Sequence, residues 1–251
     1  MRDETGLAAE SVSSQTRARS GPVLASFTSC LAFGSLVLSG CTSTDESVPE
    51  AAQSAPDPAR IEPGGEAGGF RGMELINPIP LPAFTLTDTS GEPFDYLAET
   101  AGSLSFLFFG FTHCPDICPV QLANLAAALG DLPYSDRRQI EVVFVSTDPE
   151  RDTPEVVRDY LDRFDAEFVG LVAPIDTVNG LLVSMDLPPA IKEPVPGTDD
   201  YTVGHVAQIM AITGDGLIRL AYPGGIRQND WRNDLPALLR LNAAVAGDTG
   251  R

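Results

Sequence analysis

From about residue 79 the chain alternates between short apolar runs and amphipathic stretches. Phe84-Thr85-Leu86-Thr87 alternates, Asp88-Thr89-Ser90-Gly91 supplies turn residues, and Phe94 resumes the apolar pattern, which predicts a β-hairpin. Leu104 to Phe109 is too continuously apolar for a one-sided strand, so it is expected at the centre of a sheet with both faces covered. Leu122, Leu125, Ala126 and Leu129 fall at i, i+3, i+4 and i+7, one face of a helix that should stop at Gly130. Ile140 to Val145 reads as a second buried strand. Thr153 is placed to cap a helix with Pro154 at its first position, and Val157, Tyr160, Leu161 and Phe164 mark its apolar face. A short strand over Val169 to Val172 and a helix over Ile175 to Met185 follow. Leu187 to Gly204 carries Pro188, Pro189, Pro194 and Pro196 and reads as a long loop, the kind that often carries function. Val206 to Ile212 and Leu217 to Tyr222 flank Gly214-Asp215-Gly216, a hairpin pattern, and an amphipathic helix covers roughly 229–245.

The order is a hairpin, then strand–helix–strand–helix, then helix, hairpin and helix. This is an α/β chain: a central mixed sheet flanked by helices, with an N-terminal β-hairpin, the plan of a thioredoxin-like fold. No internal repeat and no phosphate-cradling glycine loop is present. Residues 42–72 are rich in Ser, Pro, Ala, Gly and Glu and read as a disordered tether, leaving 73–251 as the folded domain.

Ahead of the tether lies an uncharged stretch from Val23 to Leu38, preceded by Arg17 and Arg19. It has the length of a signal-peptide core and falls short of the ~18–20 apolar residues a membrane span needs. It ends in Leu38-Ser39-Gly40-Cys41, which resembles the lipobox of bacterial lipoproteins. That resemblance implies a signal peptide over residues 1–40 and a lipid on Cys41; the alternative is an uncleaved single anchor. Either way the domain is expected on the extracytoplasmic face of a bacterial cell membrane, attached to it.

Charge narrows the partners. The formal net charge is −19, and residues 1–40 hold three acidic and three basic residues, so their removal leaves it unchanged. Such a surface repels nucleic acid and anionic headgroups. Of four cysteines, Cys30 falls in the signal segment and Cys41 is the lipidation site, which leaves Cys114 and Cys118 as the free sulfurs. In an oxidising compartment these two oxidise to each other unless a reductant or a soft metal holds them.

Cys114 and Cys118 stand four positions apart at a strand-to-helix junction, where a helix N-terminus favours the thiolate. At i, i+4 both sulfurs are expected on one side of a helical turn, and thiolates suit Cu(I) or Zn, so the pair alone selects no metal. His113 is expected to point away from the sulfurs in a packing or hydrogen-bonding role. His205 ends the proline loop just before the penultimate strand, a junction that faces the cysteine turn in thioredoxin-like folds. An imidazole there can complete a Cys₂His site and extends the ligand set toward Cu(II). Asp148 and Asp152 read as turn and capping residues.

Three stretches carry a resemblance: Phe111-Thr112-His113-Cys114-Pro115-Asp116-Ile117-Cys118-Pro119, then Ser146-Thr147-Asp148-Pro149-Glu150-Arg151-Asp152-Thr153-Pro154, then Tyr201-Thr202-Val203-Gly204-His205. In this order they resemble the Sco/SenC family, membrane-anchored thioredoxin-like copper proteins that help assemble the binuclear copper centre of cytochrome c oxidase. The resemblance covers roughly residues 79–245. It implies that Cys114, Cys118 and His205 bind a copper ion, Cu(I) or Cu(II), for a copper-accepting subunit of that oxidase. It also implies that the two thiols reduce a target's cysteines, with a thioredoxin-like reductant as a further partner. The family has an acidic residue before the histidine and a small hydroxyl residue after it, where this chain has Gly204 and Val206. The competing function is a thiol–disulfide oxidoreductase, in which Cys114 and Cys118 are the redox-active pair and His205 is dispensable. A peroxiredoxin needs Thr three residues before its reactive cysteine, where Phe111 stands here. Methionine-rich copper-handling stretches are absent: the four methionines are scattered.

Overall fold

The structure, a computed structural model, describes residues 61–62 and 69–248. The signal segment and Cys41 lie outside the described residues. In chain order the elements are β1 (Ile61–Glu62), β2 (Met73–Pro80), β3 (Thr85–Asp88), β4 (Pro93–Asp95), α1 (Tyr96–Glu99), β5 (Leu104–Gly110), α2 (Ile117–Gly130), α3 (Tyr134–Arg137), β6 (Ile140–Ser146), α4 (Pro154–Leu161), β7 (Val169–Val172), α5 (Ile175–Ser184), β8 (Ile191–Pro194), β9 (Tyr201–Gly204), β10 (Ile209–Ile212), β11 (Leu217–Tyr222) and α6 (Gln228–Asp248).

Nine strands form one mixed sheet in the order β1-β2-β11-β10-β5-β6-β7-β3-β4, and β8 and β9 form a separate two-stranded sheet. β5 is central and buried along its whole length, as its sequence predicts. It runs parallel to β6 and antiparallel to β10. The crossovers β5–α2–β6 and β6–α4–β7 step the same way across the sheet, so right-handed connections put α2 and α4 on one face. Trp231 of α6 packs edge-on to Phe106 on that face, and Tyr160 of α4 meets Phe144 there. The residues between them on β5 and its neighbours point to the other face, where Met185 at the end of α5 stands over Met210 and Ala221.

The chain caps its helices much as the pattern predicts. Thr153 accepts from the Val156 amide, with Pro154 at the first position of α4. α5 closes with the Asp186 amide bonded to the Val183 carbonyl and the Leu187 amide bonded to the Leu182 carbonyl. This is a Schellman closure, with Asp186 at φ 57 in the position that usually holds glycine.

Two expectations need correction. The stretch read as a tether up to residue 72 is ordered at its C-terminal end. Ile61 and Glu62 pair with Leu75 and Glu74, and Phe70 packs on the core. Strand pairing of this kind uses backbone groups and leaves no apolar alternation to read, and β2 itself is interrupted by Asn77, Pro78 and Pro80. The long proline loop likewise contains a hairpin, β8–β9, whose first strand is exposed at all four positions and therefore shows no period-2 pattern.

The ordered start of the domain is held by one carboxylate. Asp234, fully buried in α6, accepts from the Arg71 and Gly72 amides at 2.7 and 3.0 Å and from the Tyr222 hydroxyl at 2.9 Å. Asp234→Ala leaves these donors without a partner and is expected to lower stability by about 2–3 kcal/mol. Urea unfolding measures this; a change within ~0.5 kcal/mol, the range of an ordinary surface substitution, would refute the anchoring role.

Candidate metal centre

The site forms where β5 leaves the sheet. Its last residue, Gly110, has no room for a side chain: a Cβ there would lie 2.7 Å from the Phe144 ring and 3.1 Å from Cys118 Sγ. The next residues are clamped by the loop after β6. Asp152, buried, accepts from the Thr112 amide at 3.0 Å, the Thr112 hydroxyl at 2.6 Å and the Ser146 hydroxyl at 2.7 Å.

Cys114 lies in the turn ahead of α2, and Cys118 occupies the helix's first turn. The two sulfurs therefore do not project from one helical turn, as i, i+4 spacing alone predicts. Instead the Cys114 sulfur accepts from the Cys118 amide at 3.4 Å, while the helix's N-cap residue, Asp116, makes no side-chain cap bond. The sulfur caps the helix. Both cysteines are buried free thiols, Cys114 8 % exposed and Cys118 fully enclosed.

Their titration separates. The hydrogen bond from the Cys118 thiol, followed by the amides of residues 118, 116 and 117, lowers the Cys114 pKa to about 5 against the opposing effect of burial. The same bond, together with burial, pushes the Cys118 thiol up. The apo pair is thus one thiolate and one thiol sharing a proton.

His205 faces them from the segment after β9. Its Nε2 is 3.7 Å from Cys118 Sγ, and its Nδ1 is 2.9 Å from the Val203 carbonyl. Donation from Nδ1 to that carbonyl leaves the Nε2 lone pair toward the sulfur, the tautomer a metal ligand needs. The ring stands edge-on to Phe111 with centroids 5.3 Å apart. Gln121 of α2 donates to the Ala207 carbonyl at 3.0 Å and ties this segment to the cysteine helix. A thiolate, a thiol that deprotonates on binding and a neutral imidazole are a donor set suited to copper or zinc. The same pair can also attack a disulfide, with Cys114 as nucleophile and Cys118 as resolving thiol.

Comparison with known proteins identifies the family. The family model SCO1/SenC matches residues 78–240. The chain belongs to the SCO1/SenC family. A solution structure of apo Sco1 from Thermus thermophilus is 34% identical with a TM-score of 0.61, covering 69% of this chain and 99% of that one. Copper-bound ScoI from Bradyrhizobium japonicum is 30% identical with a TM-score of 0.55, covering 64% and 99%. Mitochondrial SCO2 of Saccharomyces cerevisiae is 36% identical over 133 residues, 53% of this chain and 44% of the yeast protein.

His113 is half-exposed, with Nδ1 3.1 Å from the Thr112 hydroxyl and 3.8 Å from Asp152 Oδ1. Asp148 and Asp152 do more than shape a turn. Buried Asp148 accepts from the Tyr201 hydroxyl at 2.8 Å and pairs with Arg151. The Arg151 guanidinium lies 3.8 Å from the centroid of the Tyr201 ring and donates to the Tyr201 carbonyl at 3.0 Å. These contacts fasten the β8–β9 hairpin, and with it His205, to the loop that carries Asp152. Gly204 stands where the family has an acidic residue, and a Cβ there would lie 2.6 Å from Glu193 Oε1. The Glu193 carboxylate of the neighbouring strand thus occupies the space a side chain at 204 would take.

Two outcomes follow for the metal-free, reduced protein. Iodoacetamide is expected to label Cys114 first, with a rate half-maximal near pH 5 and falling below it, because the thiolate is the nucleophile; a midpoint near the ordinary ~8.5 would contradict the shared-proton arrangement. Gly110→Ala is expected to cost about 1–3 kcal/mol in denaturant unfolding by crowding Phe144 and Cys118; unchanged stability would mean that the strand end has slack.

Proposed function

We propose that this protein is a copper metallochaperone that binds one copper ion through Cys114, Cys118 and His205. It delivers that ion to the copper-accepting subunit of cytochrome c oxidase. The observation that carries this reading is the approach of His205 Nε2 to Cys118 Sγ at 3.7 Å, with the other ring nitrogen bonded to backbone. Dithiol exchange between Cys114 and Cys118 does not require such an imidazole, whereas a three-ligand site does. Copper is bound in the solved ScoI structure from Bradyrhizobium japonicum, which supports copper over zinc.

The ion enters against a sulfur that is already a thiolate, and the Cys118 proton leaves as the second bond forms. Delivery proceeds by ligand exchange: an acceptor thiolate binds as one of the three donors lets go, so the ion is never bare. A lipid on Cys41 would hold the domain at the extracytoplasmic face of a bacterial membrane, where such an acceptor is exposed. The lowered Cys114 pKa also supports a second reading, a thiol–disulfide oxidoreductase that keeps acceptor cysteines reduced and is itself renewed by a thioredoxin-like reductant.

Copper titration of the reduced protein, followed by Cu(II)–thiolate absorption and by counting bound copper, separates the two. Wild type is expected to bind one copper per chain. His205→Ala should lose the charge-transfer band and weaken binding by more than the roughly 10–100-fold that loss of an outer-shell partner costs. No stoichiometric binding by wild type, together with rapid dithiol exchange, would leave the oxidoreductase reading.

A further inference from the structure

The fold gathers three methionines that the sequence scatters. Of the four in the chain, Met73, Met185 and Met210 all line one cavity of about 320 Å³. It lies on the sheet face covered by α5. Met210 of β10 is opposite Ala221 of β11, and Ala221 is opposite Met73 of β2. Directly opposed residues project to the same face, so the row reads methionine, alanine, methionine across three strands. The outer two backbones are two strand spacings apart, about 10 Å. The alanine leaves a hollow between two long, flexible side chains, both of which line the cavity. Met185, the C-cap residue of α5, lines the same cavity from the helix side.

Apolar packing alone does not account for the surroundings. Asp186 and Gln208 also line the cavity, and no Lys, Arg or His does. The C-terminal end of α5, with its partial negative charge, is there, and no basic residue occupies its last turn. Asp186, in the left-handed backbone of the helix closure, places an exposed carboxylate on the cavity lining. Thioethers are neutral soft donors that select Cu(I) over zinc or the hard cations, and a carboxylate and a helix C-terminus supply the counter-charge.

We propose that Met73, Met185 and Met210 form a second soft-metal site, a thioether site for one monovalent ion of the Cu(I) type, distinct from the Cys₂His centre. Binding involves no proton release and no change of oxidation state. The site therefore takes Cu(I) and not Cu(II), and it functions at acidity that protonates thiolates.

The test uses Ag(I), a redox-inert monovalent probe, on the full chain with ¹³C-methyl-labelled methionine. In Cys30→Ser/Cys41→Ser/Cys114→Ser/Cys118→Ser, which removes all four thiols of the chain, the methyl resonances of Met73, Met185 and Met210 should shift together and saturate at one equivalent, with Met1 unmoved. Met73→Leu/Met185→Leu/Met210→Leu keeps the side-chain volume and should lose that saturable binding. In wild type the same three methyls should respond to Ag(I) beyond what the thiols take up, an arm that stands if the serine variant fails to fold. Methyl resonances that stay in place under excess Ag(I) in wild type, or that respond singly without saturation, would overturn the proposal. Failure of the Cys₂His centre would show separately, as thiols left free while the methionines titrate.

Discussion

Burial of β5 on both faces is the constraint from which the site follows. Phe106, Leu107 and Phe108 are wholly enclosed, and the strand is hydrogen-bonded on one side to β6 and on the other to β10. A strand so held cannot slip: a one-residue change of register would turn each aromatic ring to the wrong layer. Its C-terminal end is therefore a fixed point. The loop that leaves it emerges at the carboxyl end of a parallel pair, where α/β sheets open a crevice. Gly110 ends the strand without a side chain and so leaves the sulfur of Cys118 the space that a Cβ would crowd.

Electrostatics then assigns unequal roles to two chemically identical residues. Cys114 stands outside the helix and takes the place of a capping oxygen; Cys118 stands inside it and donates both its amide and its thiol hydrogen to its partner. The asymmetry is a matter of one turn of chain, and no other charge is needed to produce it. Around this pair the acidic chain keeps its carboxylates occupied. Asp152 holds the cysteine loop, and Asp148 with Arg151 and Tyr201 holds the hairpin from which His205 extends.

Much of this was legible in the sequence, for identifiable reasons. β5, β6, the hairpin β3–β4 and the cap at Thr153 show because burial on both faces, period-2 alternation and capping each leave a local pattern. Cys114 and Cys118 show because their spacing and their place after a strand are chemically specific. His205 was placed from the topology and from the resemblance of Tyr201 to His205 to family stretches; nothing in its immediate neighbours indicates a ligand. Strand β8 was not legible because its side chains face solvent. The long-range work of Asp148 and Asp152 was not legible because a buried acceptor and a turn residue have the same letter. The methionine row could not be read at all: it depends on register between three strands, which no single stretch encodes.

The three side chains proposed as copper ligands belong to two different hydrogen-bonded sheets. The cysteines ride on the strand and helix of the nine-stranded body, whereas His205 follows β9, whose ladder partner is β8 alone. The hairpin is joined to the main body chiefly through a guanidinium stacked on an aromatic ring and its ion pairs. Mechanically, the centre is a clasp with a rigid jaw of two sulfurs and a softer jaw of one nitrogen. An ion held as proposed would exchange its nitrogen for an incoming sulfur while the main sheet keeps every one of its backbone bonds.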